Sequence, residues 1–390
     1  MSASPQRERP ANPALQFSPL ESPVYTTRPS MPPLEDYTKY LEGIWERRWL
    51  TNNGELHQEL ERRLREYLGV EHLSLFCNGT IALLVALQAL RIQGEVITTP
   101  FTFPATAHVL FWNHLTPVFC DIEEETFNLD PNRIEEHIGQ TTSAIMPVHV
   151  FGTPCQVERI DEIAGRHGLE VIYDAAHAFG VKYHGRSLAD CGRMNVLSFH
   201  ATKLFSTIEG GAIVSRTRVE KERVDYLKNF GFADEETIIG PGINGKMNEF
   251  QAAFGLLQLD QVDAEIEARR ARTKLYREGL GAVEGVRFLP DTTGTFHNGA
   301  YFPIVINPDA YGRTRDELYA QLKLYNVMTR KYFHPLLSSV PCYRSLPTSS
   351  PANLPVANRV ASRVLCLPLY ATLPEETIQM ICGLIGALRK

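Results

Sequence analysis

Val171-Ile172-Tyr173-Asp174-Ala175-Ala176-His177 is a short apolar run that delivers an aspartate into a stretch of small residues. Further on, Asn195 to Phe199 is a second apolar run, which continues through His200-Ala201-Thr202 to Lys203 and then Glu209-Gly210-Gly211. Taken singly, Asp174 is a helix cap and Lys203 a solvated lysine. Together, at strand ends of one α/β pattern, they are what a pyridoxal-phosphate site needs. The amine meets the cofactor's aldehyde, and the carboxylate keeps the pyridinium nitrogen protonated so that the ring can take up electrons.

Outward from this pair the chain alternates. Strands are expected at Leu73 to Cys77, Glu95 to Thr99, Pro117 to Asp121, Ala144 to Val150, the run ending at Asp174, Asn195 to Phe199 and Ala212 to Ser215. Helices are expected at Leu56 to Leu68, Thr80 to Leu90, Ala105 to Trp112 and Val157 to His167. Apolar strands alternating with helices predict an α/β fold, a mostly parallel sheet covered on both faces. Ligands of such sheets bind beyond the carboxyl ends of the strands, which is where Asp174 falls. A long helix after Asn248 carries Phe250, Phe254 and Leu257 on one face, and the residues beyond Gly285 read as a smaller α+β unit. The expected division is a flexible extension over 1–30, a large cofactor-binding domain over 31–260 and a small C-terminal domain over 261–390.

Composition sets the outer limits. Of 390 residues, 44% are hydrophobic and 22% charged, with a formal charge of -6, so neither a nucleic-acid partner nor a membrane is expected. No stretch approaches the apolar length of a membrane span, and the proline-rich start lacks the apolar core of a secretory signal. The seven cysteines form no CxxC pair, which predicts reduced thiols, no metal site and a cytoplasmic protein.

Other residues cluster by position. Asn78-Gly79-Thr80 lies between a strand and a helix, where backbone amides and a hydroxyl suit a phosphate, or where a threonine simply caps the helix. Ser198 begins the turn that carries Lys203 and would face the same phosphate. Phe103 follows a strand and opens a helix, a place from which an aromatic ring can stack on a cofactor or join the core. His177, three residues after Asp174, would reach the ring hydroxyl or Asp174 itself. Gly240-Pro241-Gly242-Ile243-Asn244-Gly245 spells GxGxxG. Only Thr237-Ile238-Ile239 precedes it and proline interrupts it, so a dinucleotide fold is rejected.

In this order and spacing, the Asn78-Gly79-Thr80, Pro100 to Thr106, Asp174 to His177 and Ser198 to Gly211 stretches resemble the DegT-type sugar-nucleotide aminotransferases. So does Gly242-Ile243-Asn244 followed by Asn248-Glu249-Phe250-Gln251-Ala252-Ala253. The likeness runs from about Pro32 to the C-terminus and implies the pyridoxal-phosphate transferase fold of type I. It implies that Lys203 links the cofactor and moves protons, that Asp174 pairs with the ring nitrogen, and that Phe103 stacks on the ring. Gly79, Thr80 and Ser198 would hold the phosphate, and Asn244 would reach the phosphate of the neighbouring subunit, which makes a homodimer obligatory. The family often has arginine where this chain has Lys246. The His200 to Phe205 stretch with Glu209-Gly210-Gly211, and Trp49 to Gly54 with Thr51, resemble enzymes aminating C4 of a 4-keto-6-deoxy sugar nucleotide. The implied partners are L-glutamate and a nucleotide sugar, with dTDP-4-keto-6-deoxyglucose foremost, in deoxyamino-sugar biosynthesis such as that of lipopolysaccharide O-antigen. A C3-aminating relative or a cofactor-binding sensor without turnover are the alternatives. Arg330 and Tyr332, in Arg330-Lys331-Tyr332-Phe333-His334, are the residues expected at the nucleotide, since cations beside aromatics suit a pyrophosphate and base.

Overall fold

Seven strands build the central sheet of the computed structural model, which describes residues 17–390. They are β1 (His72–Phe76), β2 (Glu95–Thr98), β3 (Thr116–Phe119), β4 (Thr142–Met146), β5 (Glu170–Asp174), β6 (Met194–Ser198) and β7 (Gly211–Ser215). Their spatial order is β1-β7-β6-β5-β4-β2-β3. Every pair from β6 to β3 is parallel, and β7 alone runs antiparallel to both its neighbours. A strand antiparallel to both β1 and β6 leaves those two pointing the same way. The carboxyl ends of β1, β5 and β6 therefore share one edge of the sheet, and register sets them level: Phe76 pairs Gly211, Gly211 pairs Ser198, and Val196 pairs Asp174.

Helices α1 (Leu34–Arg47), α2 (Glu55–Leu68), α3 (Gly79–Ala89), α4 (Pro104–Trp112), α5 (Val157–His167) and α6 (Arg218–Leu227) accompany this sheet. In α2, Leu60, Leu64 and Leu68 recur at four-residue spacing and are buried, each stabilising by roughly 1.5–3 kcal/mol. The start of α2 is capped from outside the helix. Buried Glu249 accepts from the Leu56 amide at 3.0 Å and the His57 amide at 2.9 Å. Gly54 makes room for this, because a Cβ there would lie 2.4 Å from the Glu249 carboxyl carbon.

The long helix α7 (Glu249–Leu280) packs against α1 and α2 and, further along, against α10 (Glu375–Ala387). The division expected at 260/261 thus falls inside one continuous helix. The C-terminal unit has a sheet of β8 (Val286–Phe288), β9 (Phe302–Ile306) and β10 (Val364–Leu367), with β9 central and antiparallel to both. Helices α8 (Arg315–Leu324) and α9 (Pro355–Arg363) complete it.

Of the expected extension over 1–30, residues 1–16 lie outside the described residues. Residues 17–30 are docked on the small unit. Val24–Tyr25 pairs in parallel with Val327–Met328, and Phe17, Leu20 and Val24 pack on the C-terminal core. The apolar residues interspersed among the prolines suffice to hold this segment down. The strand expected over Ala144 to Val150 stops at Met146, because Pro147 has no amide to give to a ladder. Pairing with β5 resumes as a single parallel bridge between Val148 and Asp174: the Pro147 carbonyl accepts the Asp174 amide at 2.9 Å, and the His149 amide donates to the Asp174 carbonyl at 3.1 Å. The GxGxxG segment is irregular loop with neither strand before it nor helix opening from it. All seven cysteines are free, and no metal-binding cluster and no helix long and apolar enough to cross a membrane occur among the described residues.

Candidate active site

Asp174 ends β5 and is 4% exposed. Burial raises its carboxyl above the usual range, and the hydrogen bonds it accepts oppose that rise, as does the nearby Lys203 charge. Its Oδ2 accepts from Thr106 Oγ1 at 2.8 Å and its Oδ1 from the Ala176 amide at 3.1 Å. Thr106 Oγ1 is also 2.8 Å from Thr102 Oγ1. An ionised carboxylate only accepts, so Thr106 donates to Asp174 and must then accept from Thr102. The pattern of residues did not single out Thr102 or Thr106. Their signal was present in Pro100 to Thr106 only as two hydroxyls four residues apart, one helical turn, where α4 begins.

Lys203 follows β6 on a tight turn closed by its amide on the His200 carbonyl at 2.8 Å. The residue is partly open as a whole, yet its ammonium end is drawn into the protein. Burial pushes the amine down to about 8, and the Asp174 carboxylate resists the fall. His177 is held neutral, its imidazole driven well below its ordinary value by burial and then by the Lys203 charge. Its Nδ1 accepts from the Phe151 amide at 3.1 Å, and its ring stacks with Phe151 and Phe333.

The start of α3 lies directly against these strands. Asn78, rather than Thr80, is its cap: the Asn78 side chain accepts from the Ile81 amide at 2.8 Å. Thr80 is therefore free of the capping duty and is exposed. The Gly79 and Thr80 amides are first-turn donors that no carbonyl inside the helix can reach. A Cβ on Gly79 would meet Ser198 Cβ at 3.1 Å, and one on Gly211 would meet the Gly79 backbone at 2.8 Å. Two glycines thus bring a helix N-terminus, with its partial positive charge, onto Ser198. This cradle fits a phosphate, and the Asp174 carboxylate fits a protonated ring nitrogen.

Gln251 explains the Gln-Ala-Ala segment. It completes a capping box with Asn248 and donates to the Glu209 carbonyl at 2.6 Å, so that α7 fixes the strand end preceding Gly210. The Gly245 carbonyl accepts the Cys77 amide at 2.8 Å, tying the 242–246 loop to the segment before Gly79.

The remaining expected residues are placed differently. Phe103 opens α4 and is 57% exposed, so it is not a core residue. Asn244 is exposed, and its side chain has no hydrogen-bond partner among the described residues. Lys246 is occupied, its Nζ donating to Asn229 Oδ1 at 2.6 Å and lying 5.0 Å from the Phe230 ring centre. Thr51 is exposed, its carbonyl accepting from Trp49 Nε1 at 2.6 Å. Arg330 and Tyr332 line a cavity with Thr202, the residue before Lys203.

A buried aspartate and a lysine at neighbouring strand ends, beside a helix N-terminus, fit the site of a pyridoxal-phosphate enzyme of fold type I. Comparison with known proteins agrees and narrows the class. The chain belongs to the DegT/DnrJ/EryC1/StrS aminotransferase family, which it matches over residues 34–386. It is 51% identical over 365 residues to a dTDP-4-amino-4,6-dideoxy-D-glucose transaminase of Escherichia coli, covering 93% of this chain and 98% of that one. A transaminase of the same name from Shigella dysenteriae is 47% identical over 370 residues, covering 95% and 100%. The solved structure of DesI in the presence of its TDP-sugar product superposes with a TM-score of 0.90 at 35% identity, covering 95% and 94%.

Proposed function

We propose that this protein transfers the amino group of L-glutamate to C4 of a nucleotide-linked 4-keto-6-deoxy sugar, dTDP-4-keto-6-deoxyglucose foremost, using pyridoxal phosphate. The product is the 4-amino-4,6-dideoxy sugar nucleotide. The observation that carries this reading is the placement of Asp174 and Lys203 at the ends of the neighbouring parallel strands β5 and β6, with the α3 N-terminus packed on Ser198. The names of the Escherichia coli and Shigella relatives, and the sugar product seen with DesI, support the choice of acceptor.

When bound, the cofactor supplies a carbonyl that can be exchanged for an amine and a ring that stores the electron pair of a deprotonated carbon. The chain does the rest. Gly79 and Thr80 amides and the Ser198 hydroxyl hold the phosphate, Asp174 accepts from the ring nitrogen, and Phe103 covers one face of the ring. His177, neutral and fixed by Phe151, faces the ring without adding charge. Lys203 removes a proton from the α-carbon of glutamate in the first half-reaction and delivers one to C4 of the sugar in the second. An amine near 8 is populated in both forms around neutral pH, which suits one residue acting as both base and acid.

The site is completed by a second copy of the chain, with Asn244 reaching the partner's phosphate. Its unpartnered side chain supports this, as do exposed apolar residues of the same loop, Phe230, Phe232, Ile238 and Ile239, which a monomer would leave in water. In this reading Thr51 and Lys246 contact the substrate, Lys246 keeping the bond it makes to Asn229. Incubation with nitrogen-labelled L-glutamate and dTDP-4-keto-6-deoxyglucose should give labelled amino sugar nucleotide and 2-oxoglutarate. NMR of the product locates nitrogen on C4; nitrogen on C3, or no product, overturns the assignment.

A further inference from the structure

Beside Thr202 the protein forms an open pocket of about 300 Å³, with Arg330 at its exposed side. One wall is Thr202 itself, the residue before Lys203. A second is Tyr25 to Thr27 of the docked N-terminal segment, and a third is the stretch from Met328 to Arg330. Arg330 is the one charged residue lining the cavity, and no carboxylate lines it. Its guanidinium has no ion pair and no hydrogen bond among the described residues. The next cation in the chain behaves differently: Lys331 is neutralised by Asp316 at 2.5 Å.

The root of Arg330 is rigid. Its amide donates to the Cys366 carbonyl at 3.1 Å, and its carbonyl accepts the Cys366 amide at 2.7 Å. Thr329 is 3% exposed, and its Oγ1 is buried without a partner. A buried hydroxyl left unsatisfied costs about 1–3 kcal/mol, so a ligand that engages it has something to gain. Thus a guanidinium on a fixed backbone, an unpartnered Thr329 hydroxyl, Thr27, and Thr202 (whose Oγ1 also meets His200 Nδ1 at 2.8 Å) line one cavity with no acid to compete. A planar fork of donors with hydroxyl support matches a carboxylate or a phosphate.

We propose that this cavity is an oxyanion site, with Arg330 as its principal contact and Thr329 as its second donor, and that it positions one of the two substrates relative to Lys203. The inference rests on the aminotransferase reading and extends it. Two anions meet its chemistry: a carboxylate of the amino donor and the pyrophosphate of the nucleotide.

Binding of 2-oxoglutarate and of dTDP to the cofactor-loaded protein, measured separately by calorimetry, tests the site without turnover. The wild type is compared with Arg330→Gln, Arg330→Lys and Thr329→Val, each checked for retained cofactor absorbance. Arg330→Gln should weaken one probe by about 10- to 100-fold, the loss expected for a hydrogen-bonded charge. Loss confined to 2-oxoglutarate identifies the carboxylate, and loss confined to dTDP identifies the phosphate. Arg330→Lys should recover part of the affinity and Thr329→Val should weaken the same probe. Unchanged affinity for both probes in Arg330→Gln overturns the proposal. Catalysis is not read in this experiment, so a wrong acceptor sugar would leave its result standing.

Discussion

Burial and hydrogen bonding act in opposite directions on the proton of Asp174. Burial favours the neutral acid, and Thr106 and the Ala176 amide favour the carboxylate. A bond to a charged group is worth about 1.5–3 kcal/mol, so Thr106→Val should slow transamination by about 10- to 100-fold. The visible spectrum of the bound cofactor should also titrate differently with pH, and Thr106→Ser should restore both. A spectrum and rate unchanged in Thr106→Val would contradict this role. Lys203 gives a pH prediction of definite sign. Its amine is a nucleophile only when neutral, and burial lowers its proton affinity to about 8. Capture of pyridoxal phosphate by the cofactor-free protein should therefore quicken as pH rises through about 8 and then level off. Stopped-flow absorbance would show it; a rise continuing towards 10 would mean an unperturbed lysine.

At the scale of elements, two glycines decide how closely a helix meets a sheet. Gly211 on β7 touches the Gly79 backbone, where a methyl group would sit 2.8 Å from Gly79 Cα. Gly211→Ala should push the α3 N-terminus outward, cost about 1–3 kcal/mol of overpacking and loosen cofactor retention. Dialysis followed by absorbance measures the retention, and an alanine variant holding cofactor as tightly as the parent would refute the account. The elements that carry the site were legible in the sequence because they are short apolar strands bounded by glycines, prolines and acids, as at Asp174. Helix α5 was expected at Val157 to His167 and occurs there, and α3 and α4 shift by one residue. Helices α1, α6 and α9 and strand β10 were not drawn out. Their patterns are short or densely charged, as in α6, and β10 is a run of only four apolar residues directly after α9. The Thr102-Thr106-Asp174 chain was hidden for another reason, since it joins residues 68 positions apart that only the sheet brings together.

For the whole molecule, the claim that each site spans two subunits predicts complementation. Lys203→Ala and Asn244→Ala should each be inactive or nearly so alone. Mixed and re-equilibrated, half the dimers are hybrids, each with one intact site, which should restore roughly a quarter of the parental activity. No recovery would place Asn244 outside a shared site. The account as a whole turns on Lys203 as the group that holds the cofactor and moves the protons of amine transfer. The most direct test is the visible spectrum of the pyridoxal-phosphate-loaded protein before and after L-glutamate, run beside Lys203→Ala. The parent should show the band of lysine-linked cofactor, lose it on adding glutamate and regain it on adding the keto sugar, while the folded variant never shows it. A parental spectrum without that band, or a Lys203→Ala protein that still cycles, would contradict the account.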